Sequence, residues 1–554
     1  MSRVSLLIII AACMLCLPWL DRPFSSRGEP REALVAQAML TTGNWISPSA
    51  YDGAVPSKPP FCHWLMSIAS IPGGEVTEAT CRLPSALAFV IFMCGFFVFV
   101  ARRRSTETAT IASLILLTSF EWLKSASSCR VDTILATSMT GALMALYGWE
   151  ERGRRGFPFL AATLIAIAAL TKGPVGVVLP LGIWGLFRLC RQSNTPGDFV
   201  TLLRDGVMIA IPVVCVVSLW YLAGYYERGE EFLAKIRYEN FERFTSTMQD
   251  EPHKHSVFYL FGMLFLGFLP WSLLWVVAAA SKWRACWNWV RSPRQAWAQA
   301  GELQRFAVLA AGVVVLFFCI PSSKRSVYLL PAYPFIALLA AECVQRWAVS
   351  TERVMRVLTK CVTALCAVPV LFAVVVCVAP WLLGIPDLRS SFVAALSWWK
   401  LVIVCGLLLL PWGPLGTAVR LVVSSQVGRL ALSVLAFVVS ANLFILDGVM
   451  YQISPKRWIS ASEFDQSVQP NTRQGFYSFG SEMYATSFYL KKPFSRAIGT
   501  SIPEQSVVVL EARHLEELQS EFSVKTRELS RFAPNIGNWK NELVVVEVVP
   551  SGQQ

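Results

Sequence analysis

The residues equipped for chemistry in this sequence are charged side chains standing where long apolar runs begin or end. A first segment reads Arg27-Gly28-Glu29-Pro30-Arg31-Glu32-Ala33-Leu34 and leads on to Ser57-Lys58-Pro59-Pro60-Phe61. A second, Ser128-Cys129-Arg130-Val131-Asp132-Thr133, opens an apolar run with an acid. A third, Leu170-Thr171-Lys172-Gly173-Pro174, leaves a lysine at a Gly-Pro break between two apolar runs. A fourth carries Glu239-Asn240-Phe241-Glu242-Arg243-Phe244, followed by His253 and His255. A fifth, Pro321 to Pro331, holds Lys324 and Arg325, with Tyr328 one turn further on. Ionisable groups beside hydrocarbon are expensive to keep, so each is a functional hypothesis. Each also has a plainer reading. Glu29 and Asp132 serve as acids at helix N-termini, Lys172 as a snorkelling lysine, and His253 with His255 as two wet imidazoles lacking a third metal ligand. Taken together, Arg31, Lys58, Arg130, Lys172, Arg243 and Lys324 map to one membrane face, with Glu29 and Asp132 among them. Such a basic pocket suits a phosphate carried on a lipid, and a carboxylate beside it suits general-base work or the orientation of a sugar.

The elements that must position these groups follow from composition. Of 554 residues, 55% are hydrophobic and 15% charged, against roughly 45–50% and about 25% in globular chains. A soluble enzyme, a disordered scaffold and a coiled coil are excluded. The apolar residues fall in runs of about 17–25, the length that crosses a bilayer. About thirteen spans are expected, centred near 4–20, 83–101, 107–124, 132–149, 157–171, 174–188, 206–223, 256–280, 304–320, 327–345, 361–382, 393–412 and 430–449. The run 4–20 has no A-x-A cleavage site and reads as a retained first helix. Many of the 15 cysteines lie inside apolar runs, where the thiol acts as a small hydrophobe. With four histidines, a large all-histidine metal site is not expected.

Charge sets the topology. The loops around Arg102 to Arg104, Arg152 to Arg155, Arg188 to Arg204, Lys282 to Arg294, Arg346 to Lys360 and Arg420 to Arg429 are basic with few acids. They face the cytoplasm, which explains the net charge of +13 without nucleic acid. The alternate connections, 21–82, 124–132, 172, 224–255, 321–325 and 383–392, carry mixed charge and face outward. The N-terminus is then cytoplasmic and the C-terminus outside. In the first outer loop, Pro30 fits the first turn of a helix. Ala33, Leu34, Ala36, Gln37 and Leu40 make that helix amphipathic along the membrane.

Residues 1–450 thus form a transmembrane domain, with surface helices in the loop 21–82. Residues 451–554 have no long apolar run. Strand-like runs at Phe476–Phe479, Ser506–Leu510 and Glu542–Val549 alternate with helical patterns at Ser481–Leu490 and Ala512–Phe522, predicting a small outer α/β domain.

The motifs also carry a resemblance. Gly28-Glu29-Pro30-Arg31-Glu32-Ala33, Met39 to Trp45, Ser57 to Leu65, Arg82 to Ala86, Arg130 to Asp132, Leu170 to Pro174, Glu239 to Thr245, Leu266 to Ser272 and Ser323 to Pro334 stand in order over roughly 20–340. This ordered set resembles the GT-C glycosyltransferases of the bacterial aminoarabinose transferase and protein O-mannosyltransferase superfamily, and the C-terminal α/β segment resembles the aminoarabinose branch. The resemblance implies an inverting enzyme of the bacterial inner membrane. It takes a sugar from a polyprenyl-phosphate carrier on the periplasmic face and gives it to a lipid, glycan or protein acceptor, lipid A among them. The superfamily's acidic pair falls here on Gly28 and Glu29, so its leading aspartate is missing. Its acid before the Lys-Pro motif is Ser57. Glu29, with Asp132 second, is then the catalytic acid. Arg31, Lys58, Lys172, Lys324, Arg130, Arg243 and Tyr328 are expected around the carrier phosphate. No cofactor is assigned, a divalent metal is left open with His253 and His255 as weak candidate ligands, and no nucleic acid partner is expected. The alternative is a flippase of lipid-linked sugars, which should bury charges midway along its spans and show repeated halves.

Overall fold

The computed structural model describes residues 3–239, 255–276, 291–350 and 475–549, except 25, 27, 50–52, 54, 56–57, 192–195, 240–254, 274–275, 322, 481–482, 492–493, 498–501 and 533–541, with single positions between 360 and 466. Arg243, His253, Ser57 and nearly all of the expected spans 361–382, 393–412 and 430–449 lie outside the described residues.

The first half is helical throughout. Helix α1 (Arg3–Cys16) is followed by α2 (Gly28–Thr42), α3 (Phe61–Ser70), α4 (Glu78–Ala101), α5 (Thr106–Thr118), α6 (Phe120–Ala126), α7 (Val131–Glu151), α8 (Phe159–Lys172), α9 (Val175–Arg191), α10 (Pro196–Arg228) and α11 (Glu230–Arg237). Then come α12 (Val257–Gly267), α13 (Glu302–Cys319) and α14 (Tyr333–Ser350). Among the described residues, four helical stretches are long and apolar enough to cross a membrane, and four shorter apolar ones accompany them. The chain is a multi-pass membrane protein.

Three details depart from the sequence expectation. The span at 107–124 is two helices, because Ser119 is extended (ψ 126°) and the Phe120 amide leaves the helix to donate to Leu269 O at 3.1 Å. Thr118 reinforces the break: its hydroxyl bonds back to Leu114 O at 2.7 Å and accepts from Trp271 Nε1 at 2.8 Å. The span at 327–345 begins as a 3-10 turn, Ser326–Ala332. Pro331 falls inside that turn and Pro334 in the first turn of α14, so two ladder donors are missing there. Helix α2 does not lie bare along a bilayer. It buries Glu29 and Glu32 together with Ala33, Val35, Ala36 and Met39, and Ser67 of α3 donates to its Ala36 carbonyl at 3.1 Å.

The C-terminal residues build a five-stranded sheet. Its strands are β1 (Phe476–Phe479), β2 (Phe494–Arg496), β3 (Val507–Glu511), β4 (Lys525–Phe532) and β5 (Leu543–Val549), in the order β2-β1-β3-β5-β4. β1 pairs parallel with β2 and β3, while β5 is antiparallel to both β3 and β4. β3 is buried along its whole length and β5 along nearly all of it, hence their unbroken apolar runs. Val507, Val509 and Val545 pack toward helix α15 (Tyr484–Leu490), and Val508, Val544 and Val546 toward α16 (Leu515–Phe522). The unexpected strand β4 is a charged edge. Arg527 pairs with Glu547 at 2.6 Å and Arg531 with Glu528 at 2.8 Å, so its apolar alternation is faint.

This sheet is fastened to the first loop. Leu34 of α2 joins the α15 face of the sheet core. The Phe24 amide donates to the Tyr489 hydroxyl at 2.8 Å, and the Phe24 ring meets Phe488 edge-on at 4.8 Å. Lys491 pairs with Glu75. The helix carrying Glu29, Arg31 and Glu32 is therefore held between α3 on one side and α15 on the other.

Candidate active site

The site forms where α2, the loop before α3, the N-terminus of α7 and the C-terminus of α8 meet. Three carboxylates organise it, and each has its own cationic partners.

Glu29 is buried and clamped. Arg82 of α4 grips it with two bonds, Nε to Oε1 at 2.9 Å and Nη2 to Oε2 at 3.2 Å, and the Cys129 amide adds a third to Oε1 at 3.0 Å. Arg82 also donates to the carbonyls of Leu20 at 3.0 Å, Pro23 at 3.3 Å and Arg22. One ion pair thus ties the start of α2, the chain leaving α1, and the turn before α7. With both oxygens engaged, Glu29 holds these elements together.

Glu32, one turn on, is the centre of a second cluster. Its Oε1 meets Lys58 and, at 2.9 Å, Arg31 Nη2; its Oε2 meets His63 Nε2 at 2.8 Å. The carboxylate and imidazole are 3% and 1% exposed, whereas the Lys58 side chain keeps 16% and Arg31 36%. Burial alone would raise the Glu32 carboxyl. Lys58, Arg31 and the His63 bond outweigh it and hold the group well below the usual carboxylate range. Burial pulls the Lys58 ammonium down to about 8, with Arg31 adding to the shift while Glu32 and Asp132 oppose it. Arg31 is raised chiefly by Glu32, and the charges of Tyr484 and Glu239 also reach it. Glu32 and His63 stand inside the sequence motifs but carried no assigned role there. The signal was the carboxylate missing at position 57: Lys58 finds its acid on α2 instead.

Asp132 anchors the third cluster at the second residue of α7, where the helix dipole favours an anion. Its Oδ1 accepts from Lys172 Nζ at 2.6 Å, and its Oδ2 lies 3.5 Å from Arg130 Nε. Lys172 is the last residue of α8. Gly173 ends that helix at φ 79° and ψ −151°, a conformation in which a β-carbon is strained, so the lysine is fixed at the helix mouth. Its ammonium stands 4.4 Å over the Tyr328 ring. The guanidinium of Arg130 packs over Gly28, where an added β-carbon would come within 3.3 Å of Cζ. That glycine lets Arg130 bridge the first and third clusters.

Glu29, Arg31, Lys58, Arg130, Asp132, Lys172 and Tyr328 thus stand in three neighbouring clusters. Lys324 is buried and donates to Pro321 O at 2.5 Å, four residues ahead of Tyr328. His255 stacks on Tyr259 at 4.0 Å. Among the described residues, no group of three or more His, Cys, Asp or Glu is gathered to hold a metal ion.

A family described as dolichyl-phosphate-mannose-protein mannosyltransferase matches residues 57–220. An uncharacterised protein of Aquifex aeolicus is 28% identical over 351 residues, 62% of this chain and 64% of its own. An undecaprenyl phosphate-alpha-4-amino-4-deoxy-L-arabinose arabinosyl transferase of Shewanella sediminis is 26% identical over 418 residues, 73% of this chain and 70% of its own. The matched stretches thus cover about two-thirds of the length of these relatives. The crystal structure of ArnT from Cupriavidus metallidurans bound to undecaprenyl phosphate superposes over 99% of both chains with a TM-score of 0.68 at 20% identity. The apo structure superposes over 98% of this chain and 97% of its own, with a TM-score of 0.67 at 19% identity. The fold is that of these ArnT structures.

Proposed function

We propose that this protein is an inverting membrane glycosyltransferase that moves a sugar from a polyprenyl-phosphate carrier to an acceptor at the outer face of the bacterial inner membrane. The observation that supports this best is the meeting of two partly exposed lysines, Lys58 and Lys172, each held by a buried carboxylate, at one end of a GT-C fold. The Cupriavidus structure of that fold holds undecaprenyl phosphate. In transfer, the bond from the anomeric carbon to the carrier oxygen breaks and its electron pair leaves with the phosphate. Negative charge grows there, so cations already in place are worth most in the transition state. Arg31, Lys58, Arg130 and Lys172 take that role, with Arg243, Lys324 and Tyr328 around them.

The acceptor oxygen attacks the opposite face of the sugar. If it is a hydroxyl, Asp132 receives its proton, and Lys172 and Arg130 steady the carboxylate beforehand. If it is a phosphate, no base is needed and Asp132 orients it. The finer assignments belong to the same reading: about thirteen spans, a cytoplasmic N-terminus, a transmembrane domain over 1–450 and a periplasmic α/β domain over 451–554. The acceptor is a lipid, glycan or protein, with lipid A among the lipids, and the polyprenyl-phosphate donor is in keeping with what the arabinosyl transferase relatives are named for. Charges placed at the ends of helices, and not midway along them, favour transfer over transport.

The test is full-length protein in nanodiscs with a radiolabelled polyprenyl-phosphate sugar and lipid acceptor. Labelled product is expected, and Lys58→Ala and Lys172→Ala are each expected to lower transfer on the order of 100-fold. Movement of the label across vesicles with no new glycosidic product would replace this reading with a flippase.

A further inference from the structure

We propose that Glu32 is a positioning residue, itself oriented by His63, that keeps the Lys58 ammonium charged and aimed for the donor phosphate. The inference rests on the glycosyltransferase reading above and deepens it at the same site. Three observations carry it. First, Glu32 sits at the centre of a preformed fork: one of its oxygens holds both cations and the other holds an imidazole. Second, its exposure runs opposite to theirs. The carboxylate is sealed while Arg31 and Lys58 keep open sides, so an arriving anion meets the cations and not the acid. Third, His63 is spent on this one contact. An ionised carboxylate only accepts, so the bonded Nε2 carries the proton, and Nδ1 is buried with no partner among the described residues. Leaving a polar atom of a fully buried ring unpaired is a cost, and the structure carries it where the ring fixes the Glu32 rotamer.

The electrostatics give this role a signature. Lys58 faces Glu32 and Arg31 from α2 and Asp132 from α7, with His63 of α3 behind Glu32. Burial already brings its ammonium down to about 8. Removing the Glu32 charge takes away the principal group opposing that fall, so Lys58 loses its proton at a lower pH. Below that pH the ammonium survives, and the loss of a nearby carboxylate removes a repulsion on the phosphate. A Glu32 variant should therefore bind phosphate poorly at high pH and normally, or better, at low pH. A general loosening of the fold would weaken binding at every pH.

The experiment measures undecaprenyl phosphate binding to the full chain in nanodiscs between pH 6 and pH 9. Glu32→Gln is expected to bind about tenfold more weakly at pH 8, the equivalent of a one-unit shift in a titration, and to match the unmodified protein at pH 6. Glu32→Asp should recover binding at pH 8. In a Lys58→Arg background, where the cation cannot lose its proton, Glu32→Gln should no longer shift the pH profile. His63→Phe should act in the same direction to a smaller extent, and it carries the test if Glu32→Gln fails to fold. Equal losses at pH 6 and pH 8, or no loss at either, would overturn the inference alone, provided the unmodified protein binds and Lys58→Ala does not. If the unmodified protein and Lys58→Ala both fail to bind, the glycosyltransferase reading falls and the inference with it.

Discussion

Helix α7 carries a buried ionic network at each end, and the two are built to different plans. At its start, Asp132 meets Lys172 and Arg130, which keep 21% and 24% of their side chains exposed. At its far end, about 27 Å away by helical rise, Glu150 joins Asp205 around Arg188, which is fully buried. Arg188 bonds Asp205 at 3.0 Å and Thr201 at 3.2 Å and lies 3.5 Å from Glu150. Arg154, Arg191, Arg204 and Trp184 fill the remaining positions around the two acids. The far network has a sealed centre: among the described residues, Arg188 is fully buried. The near one leaves its cations half open. Burial and ion pairing are common to both, so neither marks a functional site. The far network also has partly exposed arginines at its rim, Arg154, Arg191 and Arg204. What distinguishes the site is therefore that the cation bonded at its centre, Lys172, is itself partly open where Arg188 is sealed.

The sharpest way to break this contrast is Arg188→Met. It leaves two buried acids short of their main partner, and unfolding of the purified protein should show a loss of about 3–5 kcal/mol. Undecaprenyl phosphate affinity per folded molecule should be unchanged. Weakened phosphate binding with stability intact would mean the far network is not a closed structural one.

Glu29→Gln asks to which plan Glu29 belongs. The amide keeps the shape but removes the charge that Arg82 is paired with, so a stability loss of about 1–3 kcal/mol is expected, read from thermal unfolding. Turnover by the folded fraction should fall less than tenfold. Abolished turnover at full stability would mark Glu29 as a catalytic acid. The smallest effect is expected of His255→Ala. The ring stacks on Tyr259 outside both networks, so stability should move by less than about 0.5 kcal/mol. Transfer rates, measured with and without a chelator, should stay within about twofold.

Much of the site was legible because membranes make charge conspicuous. Lys58, Asp132 and Lys172 stand out against apolar runs, and all three reach one place. Glu32 was hidden for the opposite reason. It sits one helical turn from Glu29 in a charged stretch, and only the packing of α2 shows which acid faces Arg82 and which faces Lys58. The break at Ser119 was invisible because it depends on Leu269 and Trp271, far along the chain. In the C-terminal sheet, β3 and β5 announced themselves as buried apolar runs. The edge strand β4 did not, since its charged residues pair across to β5 and mask the alternation.

By itself the sequence determined that this is a multi-pass membrane protein with its chemistry gathered at helix mouths. Hydrocarbon tolerates only long apolar helices, and it pushes ionisable groups to their ends. Tertiary structure alone decided which acid serves which cation. That depends on the rotation of α2 between α3 and the sheet, a degree of freedom that spacing along one chain does not fix.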